Sequence, residues 1–137
     1  MMKKVLALLS FILLLGACQE KKTTQEEEMA ETTTDKMVVQ NLSPTQMKAY
    51  MTQKPGIVLD VRTPEEYSEG HLPNAKLINF YDEDFKEQLN QLDKTKTYYV
   101  YCKAGGRSTK ATELMASQGF TKVYNMEGGF SKWEENN

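Results

Sequence analysis

Between residues 57 and 126, short apolar runs alternate with stretches that carry helix-start and helix-stop chemistry. That alternation restricts the fold more than any other feature of the chain. Ile57-Val58-Leu59-Asp60-Val61 is an almost continuous apolar run, the pattern of a strand buried on both faces. Thr63-Pro64-Glu65-Glu66 follows with an N-cap hydroxyl, a proline in the first helical turn and a glutamate at the capping-box position, and Gly70 ends that helix. Lys76 to Phe80 reads as a second strand, and Asp82 to Leu92 as a helix with Phe85, Leu89 and Leu92 on one face. Tyr98 to Tyr101 reads as a further buried strand. Ser108 to Gln118 then repeats apolar residues at Ala111, Leu114 and Met115, Gly119 closes that helix, and Lys122 to Met126 reads as the last strand. Upstream, Met37 to Gln40 is a short apolar strand, Ser43-Pro44 opens a helix running to about Thr52, and Pro55-Gly56 is a turn. Strands alternating with helices predict a mainly parallel α/β sheet covered on both faces. Ligands in such sheets bind beyond the carboxyl ends of the strands, where the loops at Arg62 and Cys102 fall.

The chain of 137 residues holds one such domain, over residues 37–137, which contains twelve of the thirteen aromatic residues. Seventeen basic residues against nineteen acidic ones, with no basic block, argue against nucleic-acid binding.

The amino end reads as an export signal, not as part of the fold. Met1-Met2-Lys3-Lys4 is positive, and Val5 to Ala17 is a nearly unbroken apolar run of thirteen residues, shorter than the roughly 20 needed to span a bilayer. Leu15-Gly16-Ala17-Cys18 resembles the lipobox of bacterial lipoproteins. That resemblance implies a signal peptide over 1–17 and membrane attachment through lipid on Cys18. Cleavage would remove Lys3 and Lys4, leaving 15 basic against 19 acidic residues and a net charge of −4. Residues 19–36, QEKKTTQEEEMAETTTDK, hold only Met29 and Ala30 as apolar residues and read with Cys18 as a disordered acidic linker. The expected location is the cell envelope, on an outer membrane or the periplasmic side, or on the outer face of the plasma membrane in a single-membrane cell.

With Cys18 acylated, Cys102 has no partner in the chain. Its segment, Cys102-Lys103-Ala104-Gly105-Gly106-Arg107-Ser108, joins a buried strand to a helix start, with two glycines that let backbone N–H groups turn inward. A thiol there would feel those N–H groups, the helix dipole, Lys103 and Arg107, all favouring thiolate, which is the nucleophilic form. A buried cysteine acting only as a small hydrophobe is the alternative.

Four stretches of the domain together resemble the rhodanese (sulfurtransferase) family: LDVRTPEEYSEGHLPNA at 59–75, CKAGGRS at 102–108, SQGF at 117–120 and GGFSKW at 128–133. The resemblance implies a five-stranded, mainly parallel sheet with helices on both faces. It also implies that Cys102 accepts sulfane sulfur from a small sulfur-containing anion as a persulfide and passes it to cyanide or a thiol, with no metal or organic cofactor. Cysteine-based phosphatases with a similar cradle place one more residue between cysteine and arginine than the four found here, and Ser108 stands where their arginine would be. Some thiosulfate-using relatives carry a second basic residue two positions after the cysteine, where this chain has Ala104. Polysulfide or a persulfide therefore stands beside thiosulfate as a candidate donor.

The resemblance assigns Asp60 and Arg62 a supporting role through an ion pair or hydrogen bonds. It makes His71, the only histidine, part of a structural turn, and Trp133 a packing residue. A rhodanese-like binding or persulfide-relay module that depends on an envelope protein acceptor is the second functional class left open.

Overall fold

A computed structural model describes residues 38–137. The leader over 1–17, Cys18, the linker over 19–36 and Met37 lie outside the described residues. The elements are β1 (Val38–Leu42), α1 (Pro44–Gln53), β2 (Ile57–Asp60), α2 (Pro64–Glu69), β3 (Lys76–Leu77), α3 (Phe85–Asn90), β4 (Thr97–Tyr101), α4 (Gly106–Ser117), β5 (Lys122–Met126) and α5 (Gly129–Glu135).

The five strands form one sheet in the order β1-β5-β4-β2-β3, and every pairing is parallel. The expected α/β class and five-stranded sheet are therefore found. Each side chain along a strand points to the opposite face from the last, and β4 uses this to feed two cores. Tyr98, Val100 and Cys102 pack with Leu59, Phe85, Leu89, Ala111 and Met115, under α3 and α4. Tyr99 and Tyr101 pack with Val58, Met47, Tyr124 and Met126, under α1, with Tyr67 of α2 and Phe130 and Trp133 of α5 against them. Leu59, Val100 and Ala111 are fully buried; removing a leucine side chain from such a position costs about 2–5 kcal/mol.

The caps explain where α1 and α2 begin. Ser43 accepts from Gln46 N–H while the Gln46 side chain accepts from Ser43 N–H, and Thr63 with Glu66 repeats the arrangement. Each reciprocal pair satisfies two donors that a helix start otherwise leaves open.

Several boundaries differ from the sequence expectation. The strand expected over 76–80 is regular only at Lys76–Leu77. Beyond it, Ile78 N–H donates to Asp60 and Phe80 N–H to Val61, so the chain follows β2 past the end of the ladder in an irregular path. The helix expected from Asp82 begins at Phe85, because the Asp82 carbonyl and side chain close a turn with Phe85, Asn79 and Gln88. Helix α4 begins at Gly106, two residues before Ser108.

Asp60 and Tyr101, the last residues of β2 and β4, are direct partners across the ladder. Their following loops, which carry Arg62 and Cys102, are consequently neighbours at the carboxyl edge of the sheet.

Candidate active site

Cys102 leaves β4 with its thiol turned into the start of α4, and only 1% of the residue is exposed. Gly105, in the left-handed region at φ 106°, is the N-cap of α4 and donates its N–H to Cys102 Sγ at 3.0 Å. That conformation suits glycine and brings the backbone close to the sulfur. The thiol donates to Ser108 Oγ at 3.5 Å, and the Ser108 hydroxyl donates to the Gly105 carbonyl at 3.1 Å. When the thiol ionises, that hydroxyl can rotate to donate to the sulfur.

Burial pushes the Cys102 thiol up, but the Ser108 side chain and the backbone N–H groups of Ser108, Gly105 and Ala104 outweigh it, and its pKa falls below the ordinary value. Hydrogen bonding to the charged form dominates. Neutral donors hold the sulfur, with the N-terminal end of α4 adding its dipole.

Neither cation of the loop hydrogen-bonds the sulfur, although Arg107 lies close enough for its charge and that of the Cys102 thiolate to favour one another. Arg107 points to α2, where Nη1 and Nη2 donate to Oε2 and Oε1 of Glu66 at 2.7 and 2.8 Å. The bidentate pair holds the Glu66 carboxyl at about 2, and Glu66 and burial acting in opposite directions leave the Arg107 guanidinium raised. Lys103 is exposed and lines a shallow recess with Glu66 and Glu69 of α2 and Ser131 and Glu134 of α5. Ala104, exposed, and Gly106 complete the turn.

Below the loop, Arg62 and Asp60 form a buried ion pair of 2.7 Å. Arg62 Nη2 also donates to the Gly70 carbonyl, at 2.6 Å, and its backbone N–H donates to Asp60 Oδ1 at 2.9 Å. Burial lowers the Arg62 pKa and the bonds to Asp60 more than restore it, so the guanidinium stays charged. The Tyr101 hydroxyl donates to Asp60 Oδ2 at 2.7 Å and accepts from Leu72 N–H at 3.1 Å. Burial, followed by the bond to Asp60, raises its pKa, keeping the phenol a donor.

Sequence reasoning placed Asp60, Arg62 and Cys102 to Ser108 together, and the structure brings them to one edge. It missed Glu66 as the partner of Arg107, Tyr101 as a donor to Asp60, and the start of α5 as a neighbour of the loop. His71 lies apart, stacked on Tyr67 with ring centroids 3.7 Å apart and Nδ1 3.0 Å from the Tyr67 carbonyl. Among the described residues, no three His, Cys, Asp or Glu side chains are grouped to hold a metal ion.

Comparison with known proteins accords with this geometry. Residues 43–136 match the Rhodanese-like domain family. The protein YqhL of Bacillus subtilis is 36% identical over 76 residues, which span 56% of this chain but only 59% of that protein. The thiosulfate sulfurtransferase GlpE of Shewanella oneidensis is 31% identical over 98 residues, spanning 72% of this chain and 95% of GlpE. The crystal structure of a rhodanese-like domain protein from Staphylococcus aureus superposes with a TM-score of 0.61 at 35% identity, over 69% of this chain and 90% of that one. The chain belongs to the Rhodanese-like domain family.

Proposed function

We propose that this domain is a sulfurtransferase in which Cys102 carries sulfane sulfur, exported and anchored to the cell envelope through lipid on Cys18. The observation that carries the reading is the seat of Cys102 Sγ, buried and held by Gly105 N–H and Ser108 Oγ at the start of α4. A sulfur held by inward donors is stabilised as an anion, first as thiolate and then as persulfide. The similarity to a protein named thiosulfate sulfurtransferase supports the same chemistry.

In the proposed cycle, the Cys102 thiolate attacks the outer sulfur of a donor. A new S–S bond forms on Cys102, the donor's own S–S bond breaks, and the leaving sulfite or thiolate keeps the electron pair. Cyanide or an acceptor thiolate then attacks the terminal sulfur, taking it as thiocyanate or a new persulfide and returning Cys102 as thiolate. The cysteine shuttles one sulfur between two half-reactions, so the kinetics are ping-pong.

Replacing Cys102 by Ser abolishes thiocyanate formation on this reading; a variant that retains turnover would remove it. Cys18→Ser moves the protein from the membrane to the soluble fraction if the lipid is the anchor, and unchanged membrane retention would argue against it.

A further inference from the structure

The first turn of α5 is bound to the loop that carries Cys102. Phe130 N–H donates to the Cys102 carbonyl at 2.8 Å, and Ser131 N–H to the Lys103 carbonyl at 3.1 Å. A helix start leaves such donors without intrahelical partners; here both are spent on consecutive loop carbonyls. A trans peptide directs its C=O and N–H to opposite sides. Fixing the Lys103 carbonyl toward α5 therefore turns the Ala104 N–H the other way, into the turn whose next N–H, that of Gly105, donates to Cys102 Sγ at 3.0 Å. Hydrogen bonds linked through a peptide unit also polarise one another.

Two side-chain features hold α5 at this distance. Gly129 has a φ of +60°, and a Cβ there would overlap the Cys102 carbonyl oxygen and the Lys103 carbonyl, so only glycine permits the approach. The Phe130 ring lies under the Arg62 guanidinium, 4.2 Å from its central carbon, and stacks near Tyr101 at 6.1 Å between centroids. The buried Asp60–Arg62 pair thereby reaches the active loop through Phe130.

We propose that Gly129, Phe130 and Ser131 are positioning residues for Cys102: the first turn of α5 is a backbone clamp that holds the loop carbonyls outward and keeps the loop N–H groups aimed at the sulfur. The catalytic meaning of the clamp rests on the reading of Cys102 as the sulfur carrier; its geometry does not.

The test compares the full chain with Gly129→Ala and with a variant whose Ser131 N–H is replaced by an ester oxygen through an α-hydroxy acid. Trp133→Leu, on the same helix, half-buried against the core and making no bond to the loop, serves as the packing control. The readouts are the pH midpoint of iodoacetamide alkylation at the Cys102 peptide, followed by mass spectrometry, and the melting temperature. Both clamp variants raise the midpoint by about half a unit to one unit, while Trp133→Leu lowers the melting temperature and leaves the midpoint in place. If Gly129→Ala does not fold, the ester variant decides. A folded ester variant with the parent midpoint overturns the clamp, as does an equal shift in Trp133→Leu, which would mark general loosening. Sulfur uptake from polysulfide by the parent is measured separately. A parent that takes up none removes the carrier role alone, and an unmoved midpoint with normal uptake removes the clamp alone.

Discussion

Arg107 and Glu66, 41 positions apart, meet through two hydrogen bonds of 2.7 and 2.8 Å and tie the Cys102 loop to α2. Glu66 also accepts from Thr63 N–H at 3.0 Å, so one carboxylate both caps a helix and anchors the loop. Bidentate pairing of this kind fixes geometry as well as charge.

The pair makes stability depend on acid pH. The Glu66 carboxyl is lowered from 4.5 to about 2 in the folded protein, first by the bond from Arg107. A depressed folded value stabilises fully above the unfolded pKa and is lost as pH falls through the folded one. Glu66→Gln therefore costs up to about 1 kcal/mol near neutral pH, and the difference from the parent closes between about pH 4.5 and 2. Denaturant midpoints across that range check it; a difference independent of pH would show that the charge is not responsible.

Ser108→Ala removes the hydroxyl 3.5 Å from the sulfur and leaves the backbone donors in place. The Cys102 thiol pKa rises toward its ordinary value, and alkylation at neutral pH slows severalfold. An alkylation profile that superposes on the parent would mean that the hydroxyl does not stabilise the thiolate.

Asp60→Asn strips the counter-charge from a buried guanidinium and destabilises the fold by about 3 kcal/mol. Tyr101→Phe leaves the pair intact but removes one donor to Asp60 and the acceptor for Leu72 N–H, at about 1–2 kcal/mol. Urea unfolding measures both, and Tyr101→Phe costing more than Asp60→Asn would contradict the network as described.

Much of this was legible along the chain because its causes are local. The Ser43 and Thr63 caps, the apolar run from Ile57 and the glycine turn after Cys102 are written in adjacent residues. The Glu66–Arg107 pair was not, because a glutamate at the capping-box position is already explained by Thr63. Tyr101 read as strand core for the same reason: its ring is buried whatever its hydroxyl does. Helix α5 was hidden by Gly128 and Gly129, which look like a turn. Only Phe130 and Trp133, three residues apart, signalled a helical face.

If Cys102 is the sulfur carrier proposed above, donor choice falls to the free cation of the loop. Arg107 is engaged by Glu66, and Ala104 supplies no second charge, which leaves exposed Lys103 to meet an anionic donor. Lys103→Glu raises the KM for thiosulfate more than it affects transfer to a thiol acceptor, and Ala104→Lys raises kcat/KM for thiosulfate severalfold. Steady-state kinetics with each substrate varied in turn would reveal equal effects on both half-reactions, an outcome that excludes this role for Lys103.

The most direct test of the sulfur-carrier role is the intact mass of the full chain before and after thiosulfate or polysulfide, and again after cyanide. Sulfur transfer through Cys102 requires a gain of one sulfur atom on that residue, lost to cyanide and not seen in Cys102→Ser. No gain from either donor, with Cys102 still open to alkylation, would contradict it and leave a domain that binds or relays through a protein partner.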